Sequence, residues 1–266
     1  MGWHVDIRPS WTTRKIEPAV CYCFDDSSRS VYLYARPHFV NEGVCGTFFM
    51  NSGSIGGAPG QYGEKCSWAE VEEMAQEFMS TGTGIDIQDH THGHTPLNPA
   101  SRTTITNLEA EIQLGFTTFA QHGIFPNFMA YPGGAINLRG KQLLQKYYLG
   151  ARNGNAAGPI CNLDDVDLYQ LAGQGVYLGD TMKLTKLEDS RYSIENLIED
   201  LDEKPGIHFG CIHSLYPVGG TPNGVREDVF LTSIQMLKAA GIRIISVAQA
   251  YNELSNRGPT WCAGPT

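Results

Sequence analysis

Apolar and polar positions along this chain follow two periods, and the periods mark its elements. "AVCYCF" at 19–24 and "VCGTFFM" at 44–50 are short, nearly continuous apolar runs of the kind that form buried strands. "SWAEVEEMAQEFMSTG" at 67–82 carries apolar residues at helical spacing. It opens on Ser67 with Glu70 three residues on and closes on Gly82, a capping box and a terminator around one helix. "GIDI" at 84–87 predicts a short strand. The helical period returns in "TNLEAEIQLGFTTFAQHG" (106–123), and "NFMAYPGG" reads as a strand ending in a turn. After residue 150 the pattern loosens, and "ARNGNAAG" and "DDVD" read as loops. "GIHFGCIHS" (206–214), "REDVFLTSIQMLKAAG" (226–241) and "IRIISV" (242–247) predict strand, helix and strand.

Repeated strand–helix alternation predicts parallel β/α architecture in one domain over 1–266, with no internal repeat or linker. The 266 residues are close to the roughly 250 that a single α/β barrel uses. The polar clusters "DDSS", "DHTHGH", "PGG" and "HS" each fall just after a strand. Barrel active sites are built there, although an open doubly wound sheet also gathers ligands at strand C-termini.

Composition narrows the partners. The net charge of -9 argues against nucleic acid, which asks for a basic face. No apolar run is long enough to span a membrane, and the first residues lack the apolar stretch of a signal peptide. The seven cysteines include no CxxC pair, so a structural zinc ribbon is not expected. Cys21, Cys23, Cys45 and Cys211 sit in or beside apolar runs and read as buried thiols. A Cys66–Cys262 bridge in an oxidising compartment stays open.

Three clusters carry candidate chemistry. His90 and His94 are spaced i, i+4, which suits two imidazoles on one metal, with Gly93 and Pro96 favouring a tight turn or a single helical turn. His92 between them points elsewhere. An isolated HxxxH is as easily a set of surface histidines. Asp25 and Asp26 end the first strand, where aspartates also serve plain turns. Adjacent residues leaving a strand point to opposite sides, so both reach one site only if the chain turns there. Two histidines and one carboxylate leave coordination positions open for water and substrate. His213 closes another strand, as a rim histidine or as a group able to protonate a leaving group.

These segments together resemble the polysaccharide deacetylase family, also called NodB-homology or carbohydrate esterase family 4 proteins, from about Val20 to Leu254. "CFDD" (23–26) is similar to the family's TFDD, "GTFFMNSG" (46–53) to its ATFF strand and "HTHGH" (90–94) to its H[S/T]xxH metal motif. "AYPGG" (130–134) is similar to its RxPYG or AYPYG turn, "CIH" (211–213) to its LxH and "GIRIISVAQA" to its closing segment. The resemblance implies a distorted (β/α) barrel of seven or eight strands and an extracellular or cell-envelope setting. It implies Asp25 as general base, His213 as general acid, and Asp26, His90 and His94 around one divalent metal, usually zinc. Tyr131, Pro132 and Gly133 would form an oxyanion and substrate turn. Cys211 stands where a leucine lines the acetyl pocket, and Asp180 is the candidate for tuning His213. The family's frequent arginine beside the base is Ala130 here, which leaves the partner of Asp25 open.

The implied activity is metal-dependent removal of N-acetyl groups from an aminosugar polymer or oligomer, chitin- or peptidoglycan-like. The alternatives are O-acetyl ester hydrolysis on a polysaccharide such as xylan, hydrolysis of a non-sugar amide, and a non-catalytic glycan-binding barrel using Trp3, Trp11, Trp68 or Tyr216. The intact set of two aspartates and three histidines favours catalysis over binding alone.

Overall fold

The structure, a computed structural model, describes residues 16–100, 102–154, 166–175, 193–220 and 224–255. Among the described residues, eight parallel strands form the main sheet. In chain order they are β1 (Ala19–Phe24), β2 (Cys45–Met50), β3 (Gly84–Asp89), β4 (Phe128–Ala130), β5 (Gly150–Asn153), β6 (Leu171–Gly175), β7 (Ile207–Ile212) and, after a short β8 (Leu215–Tyr216) and β9 (Val225–Arg226) pair, β10 (Arg243–Ile244). Neighbours run β1 through β7 in order, and β7 pairs back along all of β1, which closes the barrel. β10 joins the opposite edge of β1 at Ala19 and Val20, below the point where β2 takes over at Cys23. The helices are α1 (Arg36–Glu42), α2 (Trp68–Thr81), α3 (Arg102–Ala120), α4 (Leu138–Leu144), α5 (Ile194–Glu203), α6 (Glu227–Ala239) and α7 (Val247–Ser255). None of the helices among the described residues is long and apolar enough to cross a membrane.

Alternation along β1 sets two layers. Ala19, Cys21 and Cys23 face inward with Phe49, Phe128, Ala130, Ile207 and Phe209. Val20, Tyr22 and Phe24 face outward under the helices, where Phe24, Phe39, Phe48 and Phe230 meet mostly edge to face. The period-2 rule then points Asp25 inward, one step past Cys23. Because every barrel strand is parallel, the residues following β1, β3, β4 and β7 share one rim.

The predicted capping box is present at α2. Ser67 Oγ accepts the Glu70 N–H, Glu70 caps the Ser67 N–H, and Gly82 closes the helix at φ 71°. The final strand is a correction. "IRIISV" pairs for only two residues, because Ser246 accepts the Gln249 N–H and Gln249 Oε1 accepts the Ser246 N–H. This reciprocal cap starts α7 where the apolar run suggested more strand. The "ARNGNAAG" loop is another, since its first three residues belong to β5.

Asp86 lies inside the barrel, buried, accepting from Gln88 Nε2 at 2.9 Å. Burial pushes its carboxyl up to about 7, against the opposing hydrogen bond from Gln88. An unfolded aspartate ionises near ~3.9. Stability from the protonated form is therefore complete below that value and lost as pH rises through about 7. In urea unfolding, the parent should lose stability across this window by up to ~1.4 kcal/mol per pH unit. Asp86→Asn should not, and equal pH slopes in the two proteins would contradict the assignment.

Candidate active site

The turn after β1 answers how two consecutive aspartates reach one site. Asp25 continues inward, and then Asp26 and Ser27 both adopt left-handed φ, 69° and 58°. Such values are strained outside glycine, although aspartate tolerates them better than most residues. The loop between β2 and α2 holds the strained turn in place. Lys65 Nζ donates to the Asp26 carbonyl at 2.6 Å, the Cys66 N–H to the Ser27 carbonyl at 3.0 Å, and Ser28 Oγ to the Tyr62 carbonyl at 2.8 Å. Ser27 Oγ accepts the Asn51 N–H at 2.9 Å. Cys66 is a buried thiol bonded to the Ser28 carbonyl, and Cys262, the other half of the bridge that the sequence left open, lies outside the described residues.

His90 and His94 are brought together by a turn rather than a helix, with Thr91 and His94 at φ 60° and 58°. Three groups fix that turn. Asn51 Nδ2 donates to the His90 and Thr91 carbonyls, Thr91 Oγ1 accepts the Thr95 N–H, and Glu111 of α3 accepts from the Gly93 N–H and Thr95 Oγ1. His92 points away, its Nδ1 at 2.9 Å from Ser52 Oγ, packed where only a glycine at 53 leaves room.

Asp26 Oδ1 lies 3.6 Å from His90 Nε2 and 3.3 Å from His94 Nε2, and its Oδ2 lies 3.8 Å from His213 Nε2. One donor atom from each of Asp26, His90 and His94 falls within 4.8 Å of the others. His90 Nδ1 sits 2.8 Å from the Ala130 carbonyl. That contact makes Nδ1 the donor and leaves the Nε2 lone pair facing Asp26, the tautomer a metal ligand needs. Burial lowers the His90 pKa, ahead of the opposing pull of Asp25 and Asp26, which favours the neutral ligand form. Two imidazoles and one carboxylate therefore fit a divalent cation with open positions.

Asp25, Cys211 and His213 form a second such group. It suits a cation poorly. Asp25 is already committed to Arg152, whose Nη2 lies 2.5 and 2.6 Å from its two oxygens. Burial raises the Cys211 thiol well above its usual pKa, and Sγ sits 3.1 Å from Asp25 Oδ2 as a donor. Cys211 therefore touches the candidate base directly.

Arg152 is the residue that the sequence reading missed. It is buried on β5 with its guanidinium over the Phe49 ring at 5.0 Å. Ala130 and Arg152 are register partners on neighbouring strands. The guanidinium missing at 130 is thus supplied from the adjacent strand. Burial alone would raise the Asp25 pKa, but Arg152, with His90 and His213, outweighs it and holds the carboxyl well below the usual range. Asp25 is therefore a carboxylate despite being buried.

The remaining expected residues scatter. The Tyr131 side chain is buried in the outer layer, its hydroxyl donating to the Tyr169 carbonyl, so it turns away from the cleft. Pro132 is buried, and Gly133 sits at φ 61° facing open space. Asp180, Trp3 and Trp11 lie outside the described residues. Trp68 stacks on His122 with ring centroids 3.7 Å apart, and Tyr216 is buried, so neither stands as an open platform for a sugar. Beside Asp26 and His94 opens a cleft of about 510 Å³, lined also by Tyr62, Lys65 and His92.

The sequence profile of polysaccharide deacetylases matches residues 13–151, just over half of the chain. The chain belongs to the polysaccharide deacetylase family. No curated protein matches it. Among solved structures it is similar to a T48 deacetylase with substrate, at 16% identity and TM-score 0.55, covering 89% of this chain and 92% of that one. It is also similar to the peptidoglycan deacetylase PdaC from Bacillus subtilis, at 16% identity and TM-score 0.52, covering 91% and 93%. A third is the Xyl-CE4 domain of a multidomain xylanase from the hindgut metagenome of Trinervitermes trinervoides, at 13% identity and TM-score 0.52, covering 90% and 92%. At these identities the likeness is one of fold, a distorted (β/α) barrel.

Removing the buried cation should expose how far Asp25 depends on it. Arg152→Leu should lose about 3–5 kcal/mol in urea unfolding, because a carboxylate is left buried without compensation. The double variant Asp25→Leu/Arg152→Leu should be more stable than Arg152→Leu alone. A double variant less stable than the single one would contradict the pairing.

Proposed function

We propose that this member of the family hydrolyses N-acetyl groups on an aminosugar polymer or oligomer. The observation that carries the reading is the convergence of an ionised, buried Asp25 and a half-exposed His213 on the Asp26–His90–His94 cluster. Asp26, His90 and His94 would hold one divalent cation, zinc being the family's usual ion. When bound, it supplies Lewis acidity toward an acyl oxygen and toward water.

The chain's own residues supply the rest. Asp25 accepts the proton of the attacking water, its carboxylate kept ionised and oriented by Arg152. The Gly133 N–H, presented by its left-handed turn, is the candidate donor to the developing oxyanion. His213 gives a proton to the departing amine as the carbon–nitrogen bond breaks, yielding acetate and a free amino group. The likeness to PdaC supports an aminosugar substrate. The likeness to a xylanase CE4 domain supports a second reading, an O-acetyl ester on a glycan such as xylan, whose better leaving group asks less of His213.

Acetate release from acetylated chitooligosaccharides, peptidoglycan and acetylxylan tests both readings. We expect release from the aminosugar substrates, abolished by chelator and restored by added zinc. His90→Ala and His94→Ala should lose the metal, while Asp25→Asn should keep about one ion per chain and lose most activity. Release from acetylxylan alone would replace the first reading by the second. Full metal content in His90→Ala would overturn the ligand set.

A further inference from the structure

His213 is the most exposed of the proton-handling groups, with a side chain 40% accessible. Its Nε2 approaches Asp26 Oδ2 only to 3.8 Å, beyond hydrogen-bond length. An imidazole so placed can rotate about its side-chain bonds, and proton transfer to a leaving group needs one orientation. What lies against its face is a ring from another part of the chain. Tyr62 stacks on His213 with centroids 4.6 Å apart and planes 24° from parallel.

Tyr62 itself is well placed to impose that orientation. It belongs to the β2–α2 loop, inside the tight turn closed by the Gly60–Gly63 bridge and three residues before Lys65. Its carbonyl is tied to Ser28 Oγ, one residue from the strained turn carrying Asp26 and Ser27. The loop thus grips two parts of the site, Asp26 through Lys65 and His213 through Tyr62.

We propose that Tyr62 is a positioning residue for this reaction, holding the His213 imidazole with Nε2 toward Asp26 and the leaving group. The proposal rests on the deacetylase reading for its chemistry, but the stack can be tested without it. A misplaced catalytic group costs on the order of 10²-fold in rate. Tyr62→Ala should therefore lower kcat on an acetylated chitooligosaccharide by about 10²-fold with little change in KM. On 4-nitrophenyl acetate, whose leaving group needs no protonation, it should change little. Tyr62→Phe, which keeps the ring, should retain parent behaviour on both substrates. In a His213→Ala background, Tyr62→Ala should cause no further loss.

A Tyr62 that instead served as a sugar platform would raise KM and keep its effect in the His213→Ala background, which overturns the proposal. Equal losses on amide and activated ester would overturn it too. The substrate-independent measurement is NMR of the His213 ring, assigned with His213→Ala. Its carbon-bound protons should lie upfield in the parent and in Tyr62→Phe, from the tyrosine or phenylalanine ring current, and move downfield in Tyr62→Leu. Unchanged shifts in Tyr62→Leu would overturn the stack whatever the protein hydrolyses. A parent that hydrolyses neither substrate, with the shifts behaving as expected, would overturn the deacetylase reading and the catalytic role while leaving the stack as a structural contact.

Discussion

The pairing of Asp25 with Arg152 is the constraint on which the site depends. Asp25 projects into a barrel interior lined by Cys23, Phe49, Phe209 and Cys211, where an isolated carboxylate would take up a proton rather than stay charged. The Arg152 guanidinium, itself buried and resting on Phe49, keeps the charge in place and ties β1 to β5 across the barrel. Such a pair is weak evidence for net stability, because desolvation offsets most of the attraction. Its consequence is one of state and position. The Asp25 carboxylate is held ionised and aimed at the rim.

Around that pair the rim is assembled from strained turns. Asp26, Ser27, Thr91 and His94 all adopt left-handed φ, at a cost of roughly 1–3 kcal/mol each. The strain is offset by side chains that have few other tasks. Asn51 braces the histidine turn, Glu111 caps it from α3, and the loop holding Tyr62, Lys65 and Cys66 fastens the aspartate turn. Asp26 can then face the His90 and His94 imidazoles with one oxygen and His213 with the other.

The sequence made visible what depends on local pattern. β1, β2, α2 and β7 follow from apolar runs and a capping box, and the positions of Asp25, Asp26, His90, His94 and His213 after strands follow from them. Arg152 stayed hidden because β5 is four residues long and its apolar periodicity is broken by an arginine facing inward. Its partner lies 127 residues away in sequence, and only the register that sets Ala130 beside Arg152 makes the substitution of one strand for the other apparent. The Tyr62 contact was hidden for a related reason, since a glycine-rich loop carries no period from which a neighbour could be read. The start of α7 is hidden in another way, since the apolar run through residue 247 reads as strand and only the structure shows the reciprocal Ser246–Gln249 cap.

The central claim is that the barrel rim holds its metal through Asp26, His90 and His94 while Asp25 stays free of it, paired with Arg152. X-ray absorption at the zinc edge of protein loaded with one equivalent tests this directly. The account predicts a first shell of nitrogen and oxygen only, at about 2.0–2.2 Å. A sulfur neighbour near ~2.3 Å would place the ion on Cys211 with Asp25 and His213, and would contradict the account.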